Sequence, residues 1–226
     1  MKYVLSVLVL FLVGPLSIQG QQSISPWLSE TERERLDNLR RSGMEALRNL
    51  DYDKAQHDFK EIAQLFPNHP SGPQLLAARL WIKALYESRR LQSSLYSSES
   101  FYTNGDDKVD PKVVAEFRSL TRESKRLSEA RLKQDPKDIE ALDFLASTEG
   151  LKASFAEAVE RRHYAALREG NDAVDHHREV LKLDPKFIDA QLTVGLYEYV
   201  VGSLPLPIKV IAGITGFHGS KKRGLA

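Results

Sequence analysis

The sequence predicts an all-α fold in which helix-turn-helix units stack as a solenoid. Apolar residues recur at steps of three and four along most of the chain, which is the spacing of one helical face. No window shows the period-two alternation between hairpin turns that predicts a sheet. The segments 135–141 (DPKDIEA) and 184–190 (DPKFIDA) are identical at five of seven positions, which indicates an internal repeat.

The first 20 residues are expected to be a signal peptide. Lys2 supplies a positive charge, residues 3–13 are apolar apart from one serine, and small residues precede Gln21. This apolar run is too short for a spanning helix, which needs about 20 residues. An uncleaved membrane anchor is the alternative interpretation. We expect a secreted protein, periplasmic or extracellular, that begins with a flexible stretch at 21–28 and is not a lipoprotein, because it has no cysteine.

The first group of helices is predicted within 29–96. Hydroxyl and acidic residues from Ser29 onwards are typical of a helix start, and Asp51 separates this helix from a second one. The second helix ends at the prolines of 67–70, and the short connection requires the two helices to pack antiparallel. A third helical pattern covers 73–96, and the Ser-, Asn- and Asp-rich stretch 97–110 predicts a loop.

The second group of helices is predicted within 111–226. Asp110 and Pro111 combine an N-cap residue with a first-turn proline, so a helix begins there and runs to the Asp-Pro turn at 135–136. Further helical segments are predicted at about 138–153, 154–169 and 172–183. The last one begins at Ile188, after the second Asp-Pro turn.

Residues 36–69 resemble a tetratricopeptide repeat. The matching positions are the small residue of the first helix, the aromatic-alanine-aromatic series of the second, and the end of the unit: Gly43, Tyr52, Ala55, Phe59, Leu65 and Pro67. Copies that end at Pro136 and Pro185 match less well. The three prolines are separated by 69 and 49 residues, whereas the family's period is about 34. The resemblance therefore implies degenerate repeats with insertions.

The layout is also similar to a group of exported bacterial tetratricopeptide proteins with long, degenerate repeats. The stretches that carry this similarity are 71–78, 195–199, 202–205 and the basic run 221–223. In that group the chain continues into another helix. We therefore expect this sequence either to be truncated at its C-terminus relative to that group or to be the N-terminal part of a longer protein.

No catalytic or metal-binding motif stands out from the sequence. The absence of cysteine excludes disulfides, thiol catalysis and cysteine-ligated metals. No phosphate-binding glycine loop or nucleophile elbow is present, and no two of the six histidines have the His-x-x-x-His spacing of a helical metal site. The 32 basic and 31 acidic residues give no charge excess toward nucleic acid. We expect no enzyme activity, no cofactor and no nucleic-acid partner.

The resemblance implies a concave groove lined by the first helix of each pair. Carried onto this sequence, the groove residues are Asp37, Arg40, Met44 and Leu47 in the first repeat, with Asp189, Leu192, Leu196 and Tyr199 in the repeat that begins at Ile188. The alternative is that the apolar members pack on a neighbouring helix. The expected function is a non-catalytic protein-protein interaction scaffold, with a peptide or a partner helix bound in this groove.

Two other functions stay open at this point. The chain could be the docking arm of a longer protein whose catalytic or transport part lies beyond residue 226. It could also be a membrane-associated assembly factor that uses residues 200–217, a stretch with the single charge Lys209 but with Pro205 and Pro207. We interpret that stretch as a buried helix pair, with peripheral membrane contact and a membrane span as alternatives.

Overall fold

The computed structural model describes residues 27–88, 109–203, 213–214 and 216–225, and over these ranges the protein is all-α, as predicted. The described helices are α1 (Glu30–Arg48), α2 (Tyr52–Leu65), α3 (Ser71–Glu87), α4 (Pro111–Gln134), α5 (Ile139–Ala158), α6 (His163–Leu183), α7 (Ile188–Gly202) and a 3-10 turn (Arg223–Leu225). The predicted signal peptide lies outside the described residues. So do most of the predicted 97–110 loop and most of the 200–217 stretch.

Each helix packs mainly on the next helix along the chain. The contacts run from α1 to α2 and on through the series to α7, and α3 also contacts α5. Apart from the longer connection between α3 and α4 (residues 88–110), the connections are short, which makes consecutive helices neighbours in space. As a result, each inner helix buries one side on its predecessor and another on its successor.

The first helices pack around a glycine-aromatic contact. A Cβ atom at Gly43 of α1 would lie 2.4 Å from Cε1 of Phe59 on α2, so this position requires glycine. Ser29 and Glu32 form a capping box that begins α1, and the Asp51 carboxylate caps α2. The core around this contact consists of Leu36, Met44, Ala46, Leu47, Ala55, Phe59, Ile62, Phe66 and Leu75.

The turn after α1 places a leucine in the left-handed region. Leu50 has φ 61°, and the amide of Asp51 donates to the Ala46 carbonyl at 2.9 Å, which is the bond that closes a Schellman motif. We expect Leu50→Gly to raise the free energy of unfolding by about 0.5–1 kcal/mol, because glycine adopts this φ without a Cβ penalty. Urea denaturation measures the change.

The neighbouring Asn49 provides the control for this prediction. Its φ is −84°, so Asn49→Gly relieves no strain and is expected to leave stability unchanged or lower. An equal gain from both variants would contradict the role of φ at Leu50.

The predicted helix breaks near residues 153 and 170 are wrong. α5 continues to Ala158 and α6 runs unbroken through Gly170. The glycines here lie at the contact between α5 and α6: a Cβ at Gly150 would lie 4.0 Å from the Ala173 Cβ and one at Gly170 would lie 3.8 Å from the Ala153 Cβ, both ordinary van der Waals distances. Small residues therefore face each other where α5 and α6 pack, and this contact does not itself require glycine.

A buried polar network joins the α4–α5 turn to two distant parts of the chain. Arg131 donates to Asp138 at 2.9 Å and to Glu140 at 2.7 Å, and His69 Nε2 lies 3.3 Å from Glu140. The indole of Trp27 donates to Asp138 at 2.9 Å. Burial would raise the pKa of Glu140, but hydrogen bonds and charge from His69 and Arg131 outweigh it and hold this pKa at about 2.

The C-terminal segment packs on α7 through a carboxylate and close glycine contacts. Glu198 is 7% exposed and accepts from the Ser220 amide at 2.7 Å and from Arg223 at 2.9 Å. A Cβ at Gly224 would lie 2.4 Å from the Gly195 carbonyl oxygen, so a side chain there would push the segment away. Residues 216–225 thus cover part of α7.

Candidate functional site

Of the four α1 residues that the sequence predicted for a groove, two are buried and two are accessible. Met44 and Leu47 are 5% and 1% exposed and belong to the α1–α2 core. Asp37 is exposed and Arg40 is half-buried on the same helix. The groove assignment of Met44 and Leu47 is therefore corrected: their apolar side chains are turned toward α2, which leaves only the polar pair accessible.

The predicted α7 residues lie far along the series of helices from those on α1. Leu192 is 41% exposed, while Asp189, Leu196 and Tyr199 are half-buried. The ring of Tyr199 has the Lys221 ammonium 5.3 Å from its centroid, so the C-terminal segment lies against it. α1 packs mainly on α2, and α7 packs mainly on α6 and the C-terminal turn, so the two predicted sets lie on helices with different packing partners.

A cleft lies instead between α4 and α6, above α5. Its volume is about 240 Å³. The floor contains two phenylalanines whose rings stack with centroids 3.8 Å apart, Phe117 from α4 and Phe155 from α5, next to small side chains. The floor residues are Phe117, Thr121, Phe155, Ala156 and Ala165, and the rim residues are Arg118, Arg122, Lys152, Glu160, Arg162, Arg168 and Glu169. We call this the α5 cleft.

Two carboxylates organise the rim of the α5 cleft. Glu160 accepts from Arg118 and lies 3.6 Å from an Arg162 nitrogen. Glu169 accepts from Lys152 at 2.5 Å, and an Arg168 nitrogen lies 3.4 Å from its other oxygen. Each carboxylate thus holds two cationic side chains, one of which comes from a different helix or turn. Such charge-assisted pairs restrict the rotamers of the arginines.

The turn that carries Glu160 and Arg162 has an unusual backbone. The residue between them, Arg161, has φ 56°, in the left-handed region that few non-glycine residues occupy. The Arg162 amide donates to the Ala156 carbonyl at 2.8 Å, which fixes the reversal from α5 into α6. This turn closes one end of the α5 cleft and places both rim residues beside α4.

A three-helix ion network continues from the other end of the cleft. Glu149 of α5 is 1% exposed, and its two oxygens lie 2.8 Å from Lys125 of α4 and 2.8 Å from His176 of α6. Burial raises the pKa of Glu149, but the bonds from His176 and Lys125 outweigh it and lower this pKa. The hydrogen bond to Glu149 raises the pKa of His176. Burial and then the charges of Glu149 and Glu169 raise the pKa of Asp172.

The α5 cleft offers cationic donors around an apolar floor, which suits the binding of a group that is partly apolar and partly anionic. Within the described ranges, no group of three or more His, Asp or Glu side chains could hold a metal ion. None of the helices in those ranges combines the length and apolar character that crossing a membrane requires.

Sequence reasoning missed the α5 cleft because its residues come from three helices and read as scattered surface charge. One signal was present: Arg118, Arg122 and Lys125 follow the i, i+4, i+7 spacing of one helical face. The partners on the other helices lie up to 42 residues away, beyond the reach of local patterns. Comparisons with protein-family models, with curated proteins and with solved structures find no match to this chain.

Proposed function

We propose that this protein is a non-catalytic interaction scaffold that binds a segment of a partner protein in the α5 cleft. The observation that carries the proposal is the cleft itself, in which three consecutive helices surround an apolar floor with oriented polar groups at the rim. Binding sites in proteins are typically concave and apolar, with a few placed polar groups. The volume of about 240 Å³ is large enough to hold several water molecules, which suits a side chain and its neighbours.

The proposal includes the repeat architecture. We interpret the helices as degenerate tetratricopeptide-like pairs that stack as a solenoid, with the Asp-Pro turns at 135–136 and 184–185 between units. Two observations support this interpretation: neighbouring helices pack in chain order, and Gly43 contacts Phe59 at the positions of the resembled motif. Stacked pairs of this kind present extended surfaces to partner chains.

The proposal also includes export. Residues 1–20 have the layout of a signal peptide, so we expect the mature chain to function in the periplasm or outside the cell. N-terminal sequencing of the protein from an expressing cell tests this, and a retained Met1 would contradict it.

Selection from a random peptide library tests binding in the cleft. The purified protein is used to select 12-residue peptides displayed on phage, and fluorescence anisotropy measures the affinity of each enriched peptide. We expect binding to weaken at least about tenfold in Ala165→Trp, because the indole fills the cleft between α4 and α6.

Lys60→Trp is the matched control. It also adds one tryptophan, but at an exposed position on α2, and we expect it to bind like the wild type. Thermal unfolding verifies that both variants are folded. A library that yields no peptide, or peptides that bind both variants equally, would contradict the proposed function.

A further inference from the structure

We infer that the segment recognised by the α5 cleft is acidic, with carboxylates that flank one apolar side chain. This inference rests on the proposed function and adds the chemistry of the partner. It begins from the charge at the rim: five cationic side chains (Arg118, Arg122, Lys152, Arg162 and Arg168) stand against two carboxylates. The difference, 5 − 2, leaves three positive charges, although the whole chain has a formal net charge of only +1.

The exposed part of this rim is more cationic than the count alone suggests. The side chains of Glu160 and Glu169 are 13% and 14% exposed, because they lie beneath their partners. Arg118, Arg162 and Arg168 are 54%, 57% and 62% exposed. An approaching ligand therefore meets guanidinium groups first, and the carboxylates that balance part of their charge are sheltered.

The same carboxylates restrict the conformations of the arginine side chains before a ligand binds. Because Glu160 and Glu169 already hold two cations each, those cations lose less rotamer entropy when a partner binds. Arg122 is the second rim cation that α4 contributes. Its side chain is exposed and has no ion pair or hydrogen bond to any residue that the structure describes, so its five donors can bind a carboxylate.

The shape of the site favours an acidic peptide over the surface of an anionic bilayer. Phe117 and Phe155 lie below the arginines and are only 2% and 1% exposed, so a ligand reaches this floor only through a narrow side chain that enters between the rim cations. A flat anionic bilayer touches the rim but not the floor. A peptide instead places an apolar side chain on the floor and its neighbouring carboxylates at the rim, where they form charge-assisted hydrogen bonds.

A pair of defined peptides tests the inference on the full chain. The first is a fluorescein-labelled 12-residue peptide with a central Phe flanked by Glu and Asp, and the second has Gln and Asn at the same positions. At 50 mM salt we expect the acidic peptide to bind at least about tenfold more tightly than the amide peptide, and its affinity to fall as salt rises. Vesicles of one third phosphatidylglycerol in phosphatidylcholine serve as the membrane probe.

The double variant R122E/R168E removes two rim cations, and K60E/K112E makes the same charge change at exposed positions outside the cleft. We expect the first variant to bind the acidic peptide at least about tenfold more weakly than the wild type. We expect the second variant to change this affinity less than about threefold. Equal weakening by both would show general attraction by net charge and overturn the inference, as would stronger binding to the vesicles than to the peptide.

The library distinguishes the failure of this inference from the failure of the proposed function. If the enriched peptides depend on the α5 cleft but are neutral or basic, the cleft is a binding site and the acidic specificity is wrong. If no enriched peptide depends on the cleft, the proposed function and the inference are both wrong.

Discussion

Replacing Ala55 with aspartate is expected to destabilise the protein by about 3–5 kcal/mol. Ala55 is 0% exposed in the α1–α2 core, where it is surrounded by Phe59 and other apolar side chains. An ionised carboxylate there loses its hydration and gains no cation, and even a protonated one remains a buried polar group. A cost of this size is a large part of the stability of an ordinary domain. Urea denaturation followed by circular dichroism measures it.

Ala115→Asp is the matched control, because it is the same chemical change at an exposed position in the second turn of α4. There a carboxylate is compatible with the helix dipole, and we expect a change within about 0.5 kcal/mol. Equal denaturation midpoints for Ala55→Asp and the wild type would show that the packing of α1 on α2 is assigned in the wrong register.

The second large effect is expected from Glu140→Gln, which we predict to cost about 3 kcal/mol at pH 7. Glu140 is 8% exposed, and its pKa is about 2 against an ordinary value of 4.5. A lowered pKa means that the ionised form stabilises the fold above about pH 4.5, and that this stabilisation is lost as the pH falls toward about 2. A difference of about 2.5 pKa units corresponds to about 3 kcal/mol.

The pH profile separates this charge effect from a simple packing defect. The free energy of unfolding is measured between pH 7 and pH 2 for the wild type and for Glu140→Gln. We expect the variant to lose the part of the acid dependence that belongs to Glu140, so that the two curves converge at low pH. Glu123→Gln removes a half-exposed carboxylate that pairs with Arg126 on the same helix, and it is expected to cost less than about 1 kcal/mol. A constant gap between the wild type and Glu140→Gln at all pH values would contradict the role of ionisation.

The parts of the fold that local chemistry determines were predictable from the sequence. The start of α1 at Ser29 and Glu32 follows from a capping box, and the start of α4 follows from Asp110 and Pro111. The division of 138–183 into helices was not predictable in the same way. A glycine ends a helix in one context and lies within a helix in another, and here Gly170 lies inside α6, facing Ala153 of α5.

The candidate site was less predictable than the fold. Met44 and Leu47 were assigned to a groove through a family resemblance, but an apolar residue on α1 has the same spacing whether it faces a ligand or α2. The α5 cleft depends on pairs such as Arg118 with Glu160, which lie on different elements. Sequence spacing contains no information on which of many surface carboxylates lies beneath which arginine.

The bond between Trp27 and Asp138 has a consequence for the rate at which the chain folds. Contacts between consecutive helices close short loops, which costs little entropy and favours rapid assembly. The indole-to-carboxylate bond spans 111 residues, so its closure costs more loop entropy than contacts between consecutive helices, and we expect it to form last. Because Trp27 is one of only two tryptophans, and the other, Trp81, lies inside the core, stopped-flow fluorescence of a Trp81→Phe chain would follow this last closure directly.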